Sequence, residues 1–168
     1  MKTENSSHNQ SSNNSQKLIS CIINPAARDG QSIKIWETVK IKLEENGLDT
    51  ELYITERVGH ASEIAYSLRD RSDIHVIVAC GGDGTVHEVS SGLRGSDIPL
   101  AIIPAGTGND VARVHGYSLD DLNETIDIII NGVDRNVGAL RIEAEPMPEE
   151  DNYPSPTADS KWNGTAKD

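Results

Sequence analysis

Three short stretches of this 168-residue chain hold residue types that chemistry can use. The first is GGDGTVHE, Gly81 to Glu88, directly after the apolar run His75 to Cys80. Gly81, Gly82 and Gly84 can take positive φ and present no side chain, so a ligand can come close to the main chain. The amides of this turn, with those of Thr85 and Val86 where a helix is expected to open, would point at one place, and such amides hold anions. Thr85 adds a hydroxyl, and Asp83 adds a carboxylate able to hold Mg²⁺ directly or through water. The plainer alternative is a tight strand-to-helix turn in which Asp83 and Thr85 only cap. The second stretch is PAGTGND, Pro104 to Asp110. Gly106 and Gly108 free its backbone, Thr107 offers a hydroxyl between them, and Asp110 is the expected cap of a following helix. The third is NPAARDG, Asn24 to Gly30. Asn24 can donate and accept, Pro25 fixes the chain, Ala26 and Ala27 keep the loop slim, and Arg28 can meet phosphate or simply be solvated.

These loops need elements to hold them. Leu18 to Asn24 reads as a strand too apolar for a one-sided sheet. Gln31 to Asn46 places Ile33, Ile35, Trp36, Val39 and Leu43 at helical spacing, and Gly47 ends it. Glu51 to Ile54 is a second strand and His60 to Arg71 a second helix, with Ala61, Ile64, Ala65 and Leu68 on one face. His75 to Cys80 and Leu100 to Ile103 are further strands. Helices are expected over Val86 to Leu93, Asp110 to His115 and Leu119 to Ile130, and a last strand over Arg135 to Ile142. Alternation with short links means parallel strands joined by right-handed crossovers: an α/β fold, an open parallel sheet with helices on both faces. In such sheets ligands gather at the carboxyl ends of the strands, which all three loops leave. Together they describe a polyphosphate cradle.

Composition narrows the partners. Residues 1–17 are polar and without apolar pattern, and residues 143–168 mix Pro, acid and small polar residues, so both read as disordered and leave 18–142 as one domain. A net charge of −12 and a pI near 4.7 argue against nucleic acid. No apolar run reaches the length of a membrane span, and residues 1–17 lack the apolar core of a signal peptide, so the expected location is the cytoplasm, with peripheral contact to a membrane left open. Cys21 and Cys80 sit in apolar runs and read as buried thiols.

Asn24-Pro25, Gly81-Gly82-Asp83-Gly84-Thr85 and Pro104-Ala105-Gly106-Thr107-Gly108-Asn109-Asp110 stand in the order and spacing of the diacylglycerol kinase catalytic domain family. Over roughly Leu18 to Gly138 the chain resembles that family, which takes in bacterial diacylglycerol and lipid kinases, sphingosine kinases and ceramide kinases. The resemblance implies an ATP-binding lobe related to the NAD kinase and phosphofructokinase fold, with ATP and Mg²⁺ as ligands. It implies that Asn24, Pro25, Ala26, Ala27 and Arg28 line the phosphate side and that Thr55, in YITE, lies near the nucleotide. Gly81, Gly82, Asp83, Gly84, Thr85, Val86 and His87 would wrap the phosphates, with Thr107 contacting them. Asp83 and Asp110 match family acids that order Mg²⁺ through water. Phosphoryl transfer suits such parts, because positioning and charge neutralisation supply most of its catalysis.

The chain also departs from the family pattern. Arg28-Asp29 intervene before Gly30 where Asn-Pro-x-x-Gly is usual, His87 stands where bacterial members often carry Asn, and Asn136-Val137-Gly138 replaces Asp-x-Gly. Family members continue into a β-rich domain that binds lipid and supplies the general base, and no strand pattern for it follows here. The expectation is therefore a lipid kinase's nucleotide-binding domain that binds ATP–Mg²⁺ and phosphorylates little or no lipid alone. A lipid acceptor enters only if a second domain or partner supplies its site. The alternatives are a NAD-kinase-like small-molecule kinase, which shares Gly-Gly-Asp-Gly, and a non-catalytic nucleotide-binding module. A homo-oligomer is left open.

Overall fold

A computed structural model describes residues 17–118 and 120–138 of the chain. In chain order they form β1 (Leu18–Ile23), α1 (Ser32–Glu45), β2 (Asp49–Ile54), α2 (His60–Leu68), β3 (Ile74–Gly81), α3 (Asp83–Gly92), β4 (Leu100–Pro104), α4 (Asp110–Val114) and α5 (Leu122–Asn131). These belong to one unit that ends at Asp134; a second begins at Arg135, and its described residues, 135–138, carry neither helix nor strand. The strand expected over Arg135 to Ile142 is thus absent from its described part. Residues 139–142, 1–16 and 143–168 lie outside the described residues.

The four strands pair in parallel in the order β2-β1-β3-β4. β1 and β3 are central and apolar on both faces, so alternate residues feed two cores. Ile19, Cys21, Ile23, Val78 and Cys80 meet α1 and α5 through Trp36, Val39, Leu43 and Ile129. Ile22, Ile77, Ala79 and Ile102 meet α2 and α3 through Ala61, Ala65, Val86 and Val89. Helices therefore cover both faces, as an all-parallel sheet requires. Both cysteines are buried free thiols.

The order in which strands are added to the sheet reverses between β1 and β3. The crevice of an open α/β sheet forms there, outside the carboxyl ends of the strands. NPAARDG leaves β1, GGDGTVHE leaves β3 and PAGTGND leaves β4, three adjacent strands.

Several boundaries differ from those expected, each for a local reason. α3 opens at Asp83, not Val86, because the Val86 amide donates to the Gly82 carbonyl at 3.1 Å and closes a turn through the glycines. α2 stops at Leu68 rather than Arg71, because the chain leaves in a turn in which the Arg71 amide donates to the Leu68 carbonyl at 3.0 Å. α5 opens at Leu122 because Asp121 caps it, accepting from the Glu124 amide at 3.0 Å. α1 ends as expected at Gly47, left-handed at φ 77°, with the Leu48 amide reaching back to the Leu43 carbonyl.

Candidate functional site

Residues of all three loops line one cavity of about 650 Å³. Asn24, Ala26, Ala27, Arg28 and Asp29 come from the loop after β1. Gly82, Gly84 and Thr85 come from the β3–α3 junction, and Gly106, Thr107 and Asn109 from the loop after β4.

The first loop is wound tightly on Asn24. Its amide donates to the Cys80 carbonyl at 3.0 Å, extending the β1–β3 ladder by a residue. Its side-chain oxygen accepts from the Ala26 amide at 3.0 Å, and its carbonyl accepts from the buried Ser32 hydroxyl at 2.8 Å. Asn24 is therefore held by both the sheet and α1. Arg28, Asp29 and Gly30 then run left-handed in succession, at φ 51°, 54° and 82°. The two residues that intervene before Gly30 are accommodated by this left-handed turn.

The glycines act by being bare, not by positive φ: Gly81, Gly82, Gly84, Gly106 and Gly108 all lie outside the left-handed region. A Cβ on Gly82 would come within 3.2 Å of the Gly106 α-carbon, and one on Gly106 would strike Gly82, so these two loops touch backbone to backbone. Gly81 has no room for a Cβ beside the Thr85 side chain. Gly84 differs. It is exposed, helical, and a Cβ there would meet nothing within 4 Å. Among the described residues nothing requires glycine at that position.

The third loop is held by side chains. Asn109, left-handed at φ 57°, accepts from the Gly106 amide at 2.8 Å and donates to its carbonyl at 2.7 Å. Asn109 occupies the position before α4, so Asp110 is not the cap expected of it. Instead Asp83, from α3, accepts the Val111 amide at 3.0 Å and caps α4 from across the crevice. That amide, helped by those of Asp110 and Asn109, holds the Asp83 carboxyl below the ordinary Asp value against its partial burial. Asp110 pairs with Arg113 at 3.0 Å, while the other arm of Arg113 donates to the Gly108 carbonyl at 2.6 Å. A Cβ on Gly108 would lie 3.1 Å from Asp83 Oδ2 and 3.9 Å from Asp110 Oδ2, so the two carboxylates flank one bare α-carbon.

The expected site residues divide accordingly. Asn24, Ala26, Ala27, Arg28, Gly82, Gly84, Thr85 and Thr107 are on the cavity wall. Pro25, Gly81, Asp83 and Asp110 shape the loops behind or beside it. Val86 is buried in the core, and its amide is taken by Gly82, so it offers no free donor. His87 is exposed on α3 and off the cavity wall, and Thr55 sits half-buried at the tip of β2, its amide on the Ile23 carbonyl. Asp29, Gly106 and Asn109 were not singled out as ligand-facing, although Asn in a Gly-Thr-Gly-Asn loop is a known local staple of turns. Ser32 gave no sequence signal.

Chemically, the cavity presents the uncapped first turn of a ten-residue helix, α3. Asp83, Gly84 and Thr85 open that helix behind Gly82, which has no side chain to cap them. Such a terminus suits an anion. Among the described residues no three His, Cys, Asp or Glu side chains gather to ligate a metal directly. The Asp83–Asp110 pair fits a hydrated cation instead.

Comparison with known proteins is consistent with this geometry. The family model described as the diacylglycerol kinase catalytic domain matches residues 19–142. A diacylglycerol kinase of Staphylococcus saprophyticus is 39% identical over 120 residues, covering 70% of this chain and 38% of the relative. One of Mycobacterium tuberculosis is 30% identical over 150 residues, covering 88% and 44%. A crystal structure of a diacylglycerol kinase from Bacillus anthracis aligns with a TM-score of 0.57 at 32% identity, covering 68% of this chain and 41% of that one. The chain thus spans about two fifths of the length of these relatives.

Proposed function

The chain belongs to the diacylglycerol kinase catalytic domain family, and from that premise we propose that its cavity holds the phosphates of ATP for transfer to a lipid hydroxyl. The observation that carries the reading is Gly84: a helical residue left bare at a cavity wall although the protein has space for a side chain there. Glycine weakens a helix interior by about 0.8–1 kcal/mol relative to alanine and a first turn by less, a cost that a closely approaching phosphate explains.

In this reading the amides opening α3 receive the phosphate oxygens, with Thr107 and Asn24 on either side. Asp83 and Asp110 would hold a hydrated Mg²⁺, which would supply neutralisation of charge on the phosphates. Arg28 adds a guanidinium at the wall. Transfer forms a bond between the acceptor oxygen and the terminal phosphorus and breaks the bridge to ADP. The lipid site and the base that takes the hydroxyl proton would lie outside the two fifths of the relatives that this chain matches. Residues 18–142 are then the nucleotide-binding domain.

Titration of the purified chain with ATP and Mg²⁺, followed by thermal unfolding, tests this. At a hundredfold excess over the dissociation constant, ATP should add about 2.7 kcal/mol of stability. Gly84→Ala should leave the free protein as stable or up to about 1 kcal/mol more so, yet remove the ATP-dependent gain. A Gly84→Ala protein that binds ATP as the wild type does would overturn the reading.

A further inference from the structure

We propose that Asp29 determines ligand specificity in the cavity, making the binding of a polyphosphate depend on the divalent cation that accompanies it. This rests on the nucleotide reading above and extends it to a residue that none of the family's motif positions accounts for.

Arg28 and Asp29 stand side by side on the cavity wall, both exposed. Neither side chain makes a hydrogen bond or ion pair to any described residue, and they do not pair with each other. Some exposed arginines elsewhere find carboxylates, as Arg57 does with Glu63 and Arg113 with Asp110, whereas Arg94, also exposed, pairs with none among the described residues. The two free charges are held where they are by backbone. Ala27 and Gly30 amides donate to the Asn24 and Ala27 carbonyls at 3.1 and 3.2 Å, and the Gln31 amide donates to the Arg28 carbonyl at 3.1 Å. Both residues keep a left-handed conformation that non-glycine residues adopt at a cost.

A lone arginine at this wall would attract any polyanion. The neighbouring carboxylate subtracts from that attraction, and the repulsion it exerts grows with the charge of the ligand. A metal-free triphosphate carries about twice the net charge of its Mg²⁺ complex, so the carboxylate penalises it about twice as heavily on a logarithmic scale. Asp29 thereby biases the cavity toward the metal-loaded nucleotide without itself touching the metal.

The test uses the full chain and isothermal titration with ATP, once with excess Mg²⁺ and once with a chelator. Asp29→Asn removes the charge and keeps a residue that accepts the left-handed conformation. It should tighten metal-free ATP about five- to tenfold and Mg²⁺–ATP about two- to threefold, with the difference shrinking in molar salt. Arg28→Gln should move both affinities the other way. If wild type and Asp29→Asn both bind but keep the same ratio between the two ligand forms, the inference is overturned and the nucleotide reading stands. If neither protein binds ATP in either form, the nucleotide reading fails and the inference with it.

Discussion

Asp83 shows how one side chain can serve two elements. Its place in the first turn of α3 suits a carboxylate, because the helix dipole presents partial positive charge there. Yet its Oδ1 is already engaged, accepting from Val111 at the start of α4. Only Oδ2 faces the bare α-carbon of Gly108. The same residue thus fastens the loop after β4 with one oxygen and leaves the other beside Gly108. The amides lower its pKa in the folded state, so the stability it contributes is present above the unfolded Asp value of about 3.9 and is lost as pH falls through the lower folded value. We expect the Val111 amide to stay protected from hydrogen exchange at pH 5 and to lose protection in stronger acid, ahead of global unfolding. Asp83→Asn should show the loss already at neutral pH. Equal Val111 protection in Asp83→Asn and wild type at neutral pH would show that the bond does not order the loop.

At the scale of elements, what periodicity and apolar content govern was legible, and what long-range capping governs was not. Trp36, Val39 and Leu43 place α1 to within a residue at each end, and LISCII of β1, apolar except for Ser20, announces a strand covered on both faces. The three motif loops were likewise legible as neighbours, because alternation of strand and helix forces a parallel sheet and hence shared strand tips. The start of α3 was not, since glycines suggest loop although the first turn of a helix tolerates them. Nor were the two caps supplied from other elements. Asp83 and Val111 are 28 residues apart, and Glu88 and the Ala61 amide it accepts are 27 apart. Glu88 is the only described side chain that takes an amide in the first turn of α2, whose own preceding residue, Gly59, has no side chain. Glu88→Ala should therefore cost about 1 kcal/mol, as loss of a cap does, and should loosen α2 before the rest of the sheet. Glu88→Gln, which keeps an accepting oxygen, should restore most of it. Hydrogen exchange along His60–Leu68 separates these outcomes from a general loss of stability.

On the scale of the whole molecule, a formal charge of −12 opposes any ligand with a phosphate tail. The cavity works against that field with local means: one arginine on its wall and the opening amides of α3. Local dipoles act over a few ångströms, whereas net charge acts over the Debye length, about 30 Å at 0.01 M salt and about 8 Å at 0.15 M. The two ranges can therefore be separated by ionic strength. If net charge governs the approach of Mg²⁺–ATP and local groups govern its retention, added salt should speed association by screening repulsion and should also speed dissociation by weakening the contacts. Stopped-flow measurement between about 0.01 and 0.15 M salt should show the association rate rising severalfold. An association rate that instead falls with salt would mean that the wall around Arg28 already steers the nucleotide from a distance, and that the acidic surface lies too far away to matter.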